Sequence, residues 1–201
     1  MARAPYEAML AHRARLDAVR ITQWLEDTRL AHRAPLYTLL LAIAGGPAAT
    51  ARIDRGVAGA HRRRDVTNLA ALLVAGMEVL GPPQVAWIER AYLTDRTRSA
   101  AELQAVLVAL QVQGGEDATI PRARAVAALR GFIRTRHPLA GYAAPVLMGW
   151  RAWDAVPEYV ALLNAGAPQH PASTIAILHY LDASARPEGR AAVAAHRAKG
   201  R

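Results

Sequence analysis

The feature that most constrains this chain is the stretch from Asn68 to Leu93, NLAALLVAGMEVLGPPQVAWIERAYL, in which two apolar stripes of helical period flank a Gly-Pro-Pro turn. Leu69, Leu72, Leu73, Gly76, Met77 and Leu80 recur at three- and four-residue steps, which places them on one side of a helix. Gly81 can take the positive φ at which helices often end. Pro82 and Pro83 forbid continuation yet suit the first turn of a new helix. Val85, Ile88 and Tyr92 make the second stripe. Such a pair closes on itself but leaves its flanks uncovered, so neighbouring pairs must bury them.

The rest of the chain repeats this unit loosely. Residues 5 to 16, with Tyr6, Met9, Leu10, Arg13 and Leu16, are predicted as a first helix, and Asp17 as the N-cap of a short second one carrying Ile21, Trp24 and Leu25. Residues 27 to 33 read as a polar connector. Pro35 opens a helix with Leu36, Leu39, Leu40 and Ile43, stopped by Gly45, Gly46 and Pro47; its partner carries Ile53, Val57 and Ala60. After HRRRD at 61 to 65, Thr67 is predicted to cap the central pair. Ser99 and Glu102 have capping-box spacing ahead of Leu103, Val106, Leu107 and Leu110. Thr119 and Pro121 start a helix with Val126, Leu129 and Ile133, broken at His137 and Pro138. A fourth pair begins at Leu139, turns at 150 to 154 and continues through Val156, Val160 and Leu163. A fifth begins near Pro171 with Ile175, Leu178 and Leu181, and its second helix, around 191 to 197, is expected to fray or to form a polar end cap.

Leading helices therefore start near Leu36, Asn68, Ala101, Leu139 and Ala172, roughly 32 to 38 residues apart, the period of helix-pair solenoids. Composition agrees. Apolar types make up 53% of the 201 residues and aromatics only 5%, so the interior must be built from Ala, Leu and Val, which suits close-packed helices. No strand-like alternation stands out. The expectation is one all-α domain over residues 1 to 201, a right-handed α-solenoid of about five to six helix pairs. Because Pro5 already opens a helix, the chain is expected to be a piece of a longer protein.

These pairs, with a proline or glycine turn and no ankyrin or tetratricopeptide consensus, resemble HEAT-like repeats. RLDAVRITQWLEDTRLAHRAPLYTLLLAIAG (Arg15 to Gly45) and AILHYLD (Ala176 to Asp182) resemble the C-terminal helical region of uncharacterised bacterial HEAT-like proteins. In that group a short WL-D helix precedes an LY-LLL-G helix, and the region commonly follows an exported β-rich domain. The resemblance implies a structural module without catalytic residues. It also implies export, for which this sequence carries no signal: MARAPYEAML lacks an apolar core, and no run reaches the roughly 18 apolar residues of a membrane span.

The sequence offers little for chemistry. Its seven histidines form no HExxH pair and no local cluster with carboxylates, so no metal site is predicted. None of the three serines lies in a GxSxG turn, and cysteine is absent. The glycines follow neither the GxxxxGK[ST] nor the GxGxxG frame, so no phosphate-binding loop or cofactor is implied. One catalytic pattern remains, WRAWDAV at 150 to 156, which resembles the aromatic and Asp surface of HEAT-like alkylpurine DNA glycosylases. Asp154 as the N-cap of a helix with Pro157 in its first turn is the simpler account, with Trp150 and Trp153 sealing the turn.

A binding face is the better reading. If Val85, Ile88 and Tyr92 point into their pair, helical geometry puts Trp87 and Arg90 on the other side. The same registration selects Arg52 and Arg55 in the preceding repeat and Arg124 in the following one. Trp and Arg are favoured at binding hot spots, and a guanidinium engages carboxylate or phosphate in a forked geometry. The plain alternative is that Trp87 packs between repeats while the arginines are solvated, just as HRRR at 61 to 64 can serve only to complement a helix C-terminus. The net charge is +9, and Lys199 is the only lysine among 25 basic residues. Arginine bias of this kind can follow genome base composition as readily as function. The chain is thus expected to be a non-enzymatic scaffold for a protein partner, an acidic segment fitting best, with nucleic-acid binding as the second reading and a DNA glycosylase as the most distant one.

Overall fold

The structure is a computed structural model and describes residues 3–115, 118–166 and 170–199. All regular structure among these is helical. The α-helices are α1 (Arg3–Leu10), α2 (Ala18–Glu26), α3 (Ala34–Ala44), α4 (Pro47–Arg63), α5 (Leu69–Leu80), α6 (Pro82–Ile88), α7 (Ala100–Gln113), α8 (Arg122–Thr135), α9 (Ala144–Gly149), α10 (Val156–Asn164), α11 (Pro171–Ala183) and α12 (Pro187–Lys199). Among the described residues, no helix is long and apolar enough to cross a membrane. The chain divides into two compact units, one of Met1–Tyr92 with Thr97–Ala125, the other of Leu93–Arg96 with Val126–Arg201.

In the first unit α3 packs against α5 and α5 against α7, with α4 laid on both α3 and α5, α6 on α5, and α1 touching α3 and α7. The core is made where their stripes meet: Leu41, Ile43, Leu69, Leu73, Met77, Leu103, Leu107 and Leu110 are all buried. The local signals act as expected at three points. Gly81 has φ +67 and ends α5, Asp17 accepts from the Val19 and Arg20 amides, and Ser99 and Glu102 form a reciprocal capping box. A polar knot ties α1 down: Tyr6 Oη donates to Glu78 Oε2 at 2.7 Å, and Gln113 Nε2 and Thr119 Oγ1 donate to the same oxygen.

Several expectations need correction here. The first helix ends at Leu10 and a 3₁₀ turn covers Arg13–Arg15, while residues 28 to 33 form a 3₁₀ helix capped by Asp27. Asn68, not Thr67, is the N-cap residue of α5, and the Thr67 amide donates to Asp65 Oδ1. The helix expected to start at Thr119 and Pro121 begins at Arg122, with the Pro121 carbonyl accepting from the Arg124 and Ala125 amides, while the Thr119 hydroxyl donates to Glu78. Leu72, expected in the shared core, is only half-buried because it lines an open cleft, and Leu36 is exposed.

In the second unit a 3₁₀ run over His137–Ala143 leads into α9, and both pack on α11; α10 packs on α11 and α12. Gly141 lets this happen. Its amide donates to Ser173 Oγ at 2.7 Å, and a Cβ there would lie 2.1 Å from the Ser173 carbonyl oxygen. Tyr159 and Tyr180 are buried with their hydroxyls on the Ala140 and Ala152 carbonyls. Asp154 is exposed within a 3₁₀ turn and caps no helix; α10 starts after Ala155 without a side-chain cap. Ile175 is 68% exposed, because α11 turns Ser173, Ile177, Tyr180 and Leu181 inward instead. The last helix is regular as far as Lys199, with Ala192 and Val193 buried.

Candidate functional site

Two places in the first unit hold the residues expected to bind. The first is a cleft of about 320 Å³ whose lining includes Leu25, Leu41, Ile53 and Leu72 below and Arg52 and Arg55 above. Arg52 and Arg55 stand one turn apart on α4, so their side chains share a face. Gly56 helps to keep the cleft close to α5: a Cβ there would meet Leu72 Cδ2 at 2.8 Å. Arg52 Nη1 donates to Glu26 Oε1 at 2.9 Å. Arg55 is exposed and makes no hydrogen bond or ion pair among the described residues.

The second place is the end of α6, where the backbone widens into a π-helical turn over Glu89–Leu93. A π turn joins residues five apart and so brings Trp87 and Tyr92 to one side, where α-helical registration keeps them apart. Their rings meet edge to face at 5.7 Å, and His61 from the end of α4 stands 5.2 Å from Trp87 and 5.3 Å from Tyr92. Val85, Ile88 and Tyr92 are buried, while Trp87, expected to stand clear on the other side, belongs to an aromatic trio and is half-buried.

Arg98 secures the trio from below. Its Nε donates to the Ala91 carbonyl at 2.9 Å, Nη1 to Glu102 at 2.8 Å, and Nη2 lies against the His61 ring, while its guanidinium sits 4.8 Å from the centre of the Tyr92 ring. A guanidinium only donates, so a His61 ring nitrogen accepts from it. Burial acts to raise the Glu102 carboxyl, but the Ser99 amide and Arg98 outweigh it and hold the group below the usual carboxylate range. Tyr92 Oη is buried without a hydrogen-bond partner, and desolvation pushes its hydroxyl up to about 12. Arg64, at φ +54 just beyond α4, donates to the Thr97 carbonyl and hydroxyl.

The five candidate residues thus fall into separate settings. Arg52 and Arg55 are together at the cleft; Trp87 is in the trio; Arg90 is exposed; Arg124 grips both oxygens of Glu89, which raises its pKa. Among the described residues, no hydrogen bond, ion pair or ring contact joins Arg52 or Arg55 to Trp87 or Arg124. The buried Arg98 was not singled out by sequence reasoning, although the neighbouring capping box was legible and placed it just ahead of α7. Among the described residues no group of three or more His, Cys, Asp or Glu side chains is placed to hold a metal ion. Compared with known proteins, the sequence matches no family model, and neither a curated protein nor a solved structure is detectably similar to it.

Proposed function

We propose that this chain is a non-enzymatic HEAT-like helical scaffold that binds an acidic segment of a protein partner. The side-by-side packing of α3, α5 and α7 supports the repeat reading, and the cleft of α4 carries the functional one. An apolar floor beneath two arginines is complementary to a segment that presents a Leu-like side chain beside a carboxylate. Arg52 is steered by Glu26, which leaves Arg55 as the group that meets the ligand charge. The Trp87 trio and Arg90 extend the same reading along α6, and a nucleic-acid strand is the alternative that basic charge alone would allow.

The test is selection of acidic peptides from a displayed library on the whole chain, followed by fluorescence anisotropy with one selected peptide. Arg55→Glu is the decisive variant because its side chain touches no partner. It should weaken binding roughly tenfold or more, as expected for a lost charge-assisted contact, and leave Tm unchanged. A labelled DNA or RNA strand that engages many phosphates would lose roughly a thousandfold in affinity between about 50 and 200 mM salt. Tight strand binding with that slope, or peptide binding untouched by Arg55→Glu, would overturn the proposal.

A further inference from the structure

Four helices of the first unit meet at the cleft, Leu25 coming from α2, Leu41 from α3, Arg52, Ile53 and Arg55 from α4, and Leu72 from α5. Its volume of about 320 Å³ is at the small end for ligand clefts, which run from about 300 to 1,000 Å³, so one or two residues fill it. The charge it can take is equally limited. Glu26 already occupies Arg52 at 2.9 Å, and Asp54, the acid on that turn of α4, lies on the opposite side of the helix from Arg52 and Gly56. Two guanidiniums against the one carboxylate of Glu26 leave a single positive charge uncompensated. Arg55 carries it, exposed and without a hydrogen bond or ion pair among the described residues.

The walls narrow the form of the ligand further. They are helices, whose backbone N–H and C=O groups are spent on their own ladders, so an extended segment crossing the cleft finds no edge to pair with and leaves its peptide groups against Leu25, Leu41 and Ile53. A helical segment satisfies its own backbone, but at about 10–12 Å across it is too broad to enter. It would also present acid and apolar side chain from separate residues, whereas the cleft sets them side by side, with Arg52 directly before Ile53. A chain end has none of these difficulties. A C-terminal leucine carries its carboxylate and its apolar side chain on one Cα, brings one negative charge, and needs a single way out of the cleft.

We infer that the cleft between α2, α3, α4 and α5 receives the C-terminal residue of a protein partner, an apolar residue of leucine size whose free α-carboxylate is held by Arg55 while its side chain lies on Leu41 and Ile53. This rests on the scaffold reading above and narrows its acidic segment to a chain end.

The test is an NMR titration of the whole ¹⁵N-labelled chain with four acetylated peptides: Gly-Ser-Gly-Ala-Leu with a free C-terminus, its C-terminal amide, the amide of Gly-Ser-Asp-Ala-Leu, which returns the charge on a side chain, and Gly-Ser-Gly-Ala-Gly with a free C-terminus. The first should give saturable shifts centred on Leu41, Ile53, Arg55 and Leu72. Amidation should weaken it roughly tenfold or more, the Asp peptide should stay as weak as the amide, and the glycine end should also lose roughly tenfold. Arg55→Gln should erase the difference between acid and amide with Tm unchanged, because that side chain has no partner to lose. Equal affinity for acid and amide, recovery of binding by the Asp peptide, a glycine end that binds as well, or an acid preference that survives Arg55→Gln would overturn the inference. So would acetyl-leucine binding as tightly as the peptide, which would make this a small-molecule site. Binding of an acidic peptide selected from the library, without binding of the free-acid peptide, would overturn the chain-end inference and leave the scaffold reading standing; if neither binds, both fail.

Discussion

Gly141→Ala places a single methyl group where the fold has no room for it. The added Cβ would lie 2.1 Å from the Ser173 carbonyl oxygen, 2.6 Å from its carbon and 2.7 Å from its Cα. These are backbone atoms in the first turn of α11, so no side-chain rotation relieves the clash. The 3₁₀ run must move away from α11, and the Gly141 N–H bond to Ser173 Oγ stretches with it. Overpacking of this kind costs about 1–3 kcal/mol and a lost buried hydrogen bond about 1 kcal/mol more, for a total near 3 kcal/mol. In a chain of this size that corresponds to a fall in Tm of roughly 6–12 °C. Gly131→Ala is the control in the same unit: it lies inside α8 with nothing within 4 Å of the new methyl, so it should stabilise by about 0.5–1 kcal/mol. Thermal and urea unfolding followed by circular dichroism would measure both. A Gly141→Ala protein as stable as wild type would refute the close approach of these two segments.

Leu107, 2% exposed at the middle of α7, should cost about 2–5 kcal/mol when truncated to Ala, and Leu72, half-buried at the cleft, distinctly less; urea midpoints compare them. Arg98→Ala strands Glu102 in the core and should destabilise by about 3–5 kcal/mol in the same assay, with Arg98→Lys rescuing little of the forked geometry. Tyr92→Phe should be neutral or slightly stabilising at pH 7, since the lost hydroxyl has no partner, whereas Tyr180→Phe strands the Ala152 carbonyl and should cost about 1–3 kcal/mol. Burial pushes both hydroxyls up to about 12, so the folded chain retains protons that the unfolded chain releases near pH 10. That contribution is intact below about pH 10 and lost as pH rises toward 12. Tyr92→Phe should accordingly shift the alkaline unfolding midpoint upward, and an unchanged midpoint would count against burial of that hydroxyl.

The residues themselves were enough to set the all-helical class and most element ends, because each is decided within about a turn of the residue that causes it. Gly81 with Pro82 and Pro83, Asp17, and the Ser99 and Glu102 box did their work as local chemistry, and the one-turn spacing of Arg52 and Arg55 brought both to one cleft. What surrounds those elements was decided elsewhere. Whether an apolar residue is covered depends on helices far along the chain, which is why Leu72 faces a cleft and Ile175 faces solvent. The partners of the arginines are equally remote: Arg52 meets Glu26, Arg124 meets Glu89, and Arg98 meets His61. The contact of Trp87 with Tyr92 was hidden for a third reason, since the π turn over Glu89–Leu93 adds a residue to one helical turn and rotates Tyr92 toward Trp87, a change that an α-helical count along the sequence does not register. Gly141 shows the same limit from the other side: as a letter it reads as punctuation, and only the approach of α11 makes its missing side chain a condition of the fold.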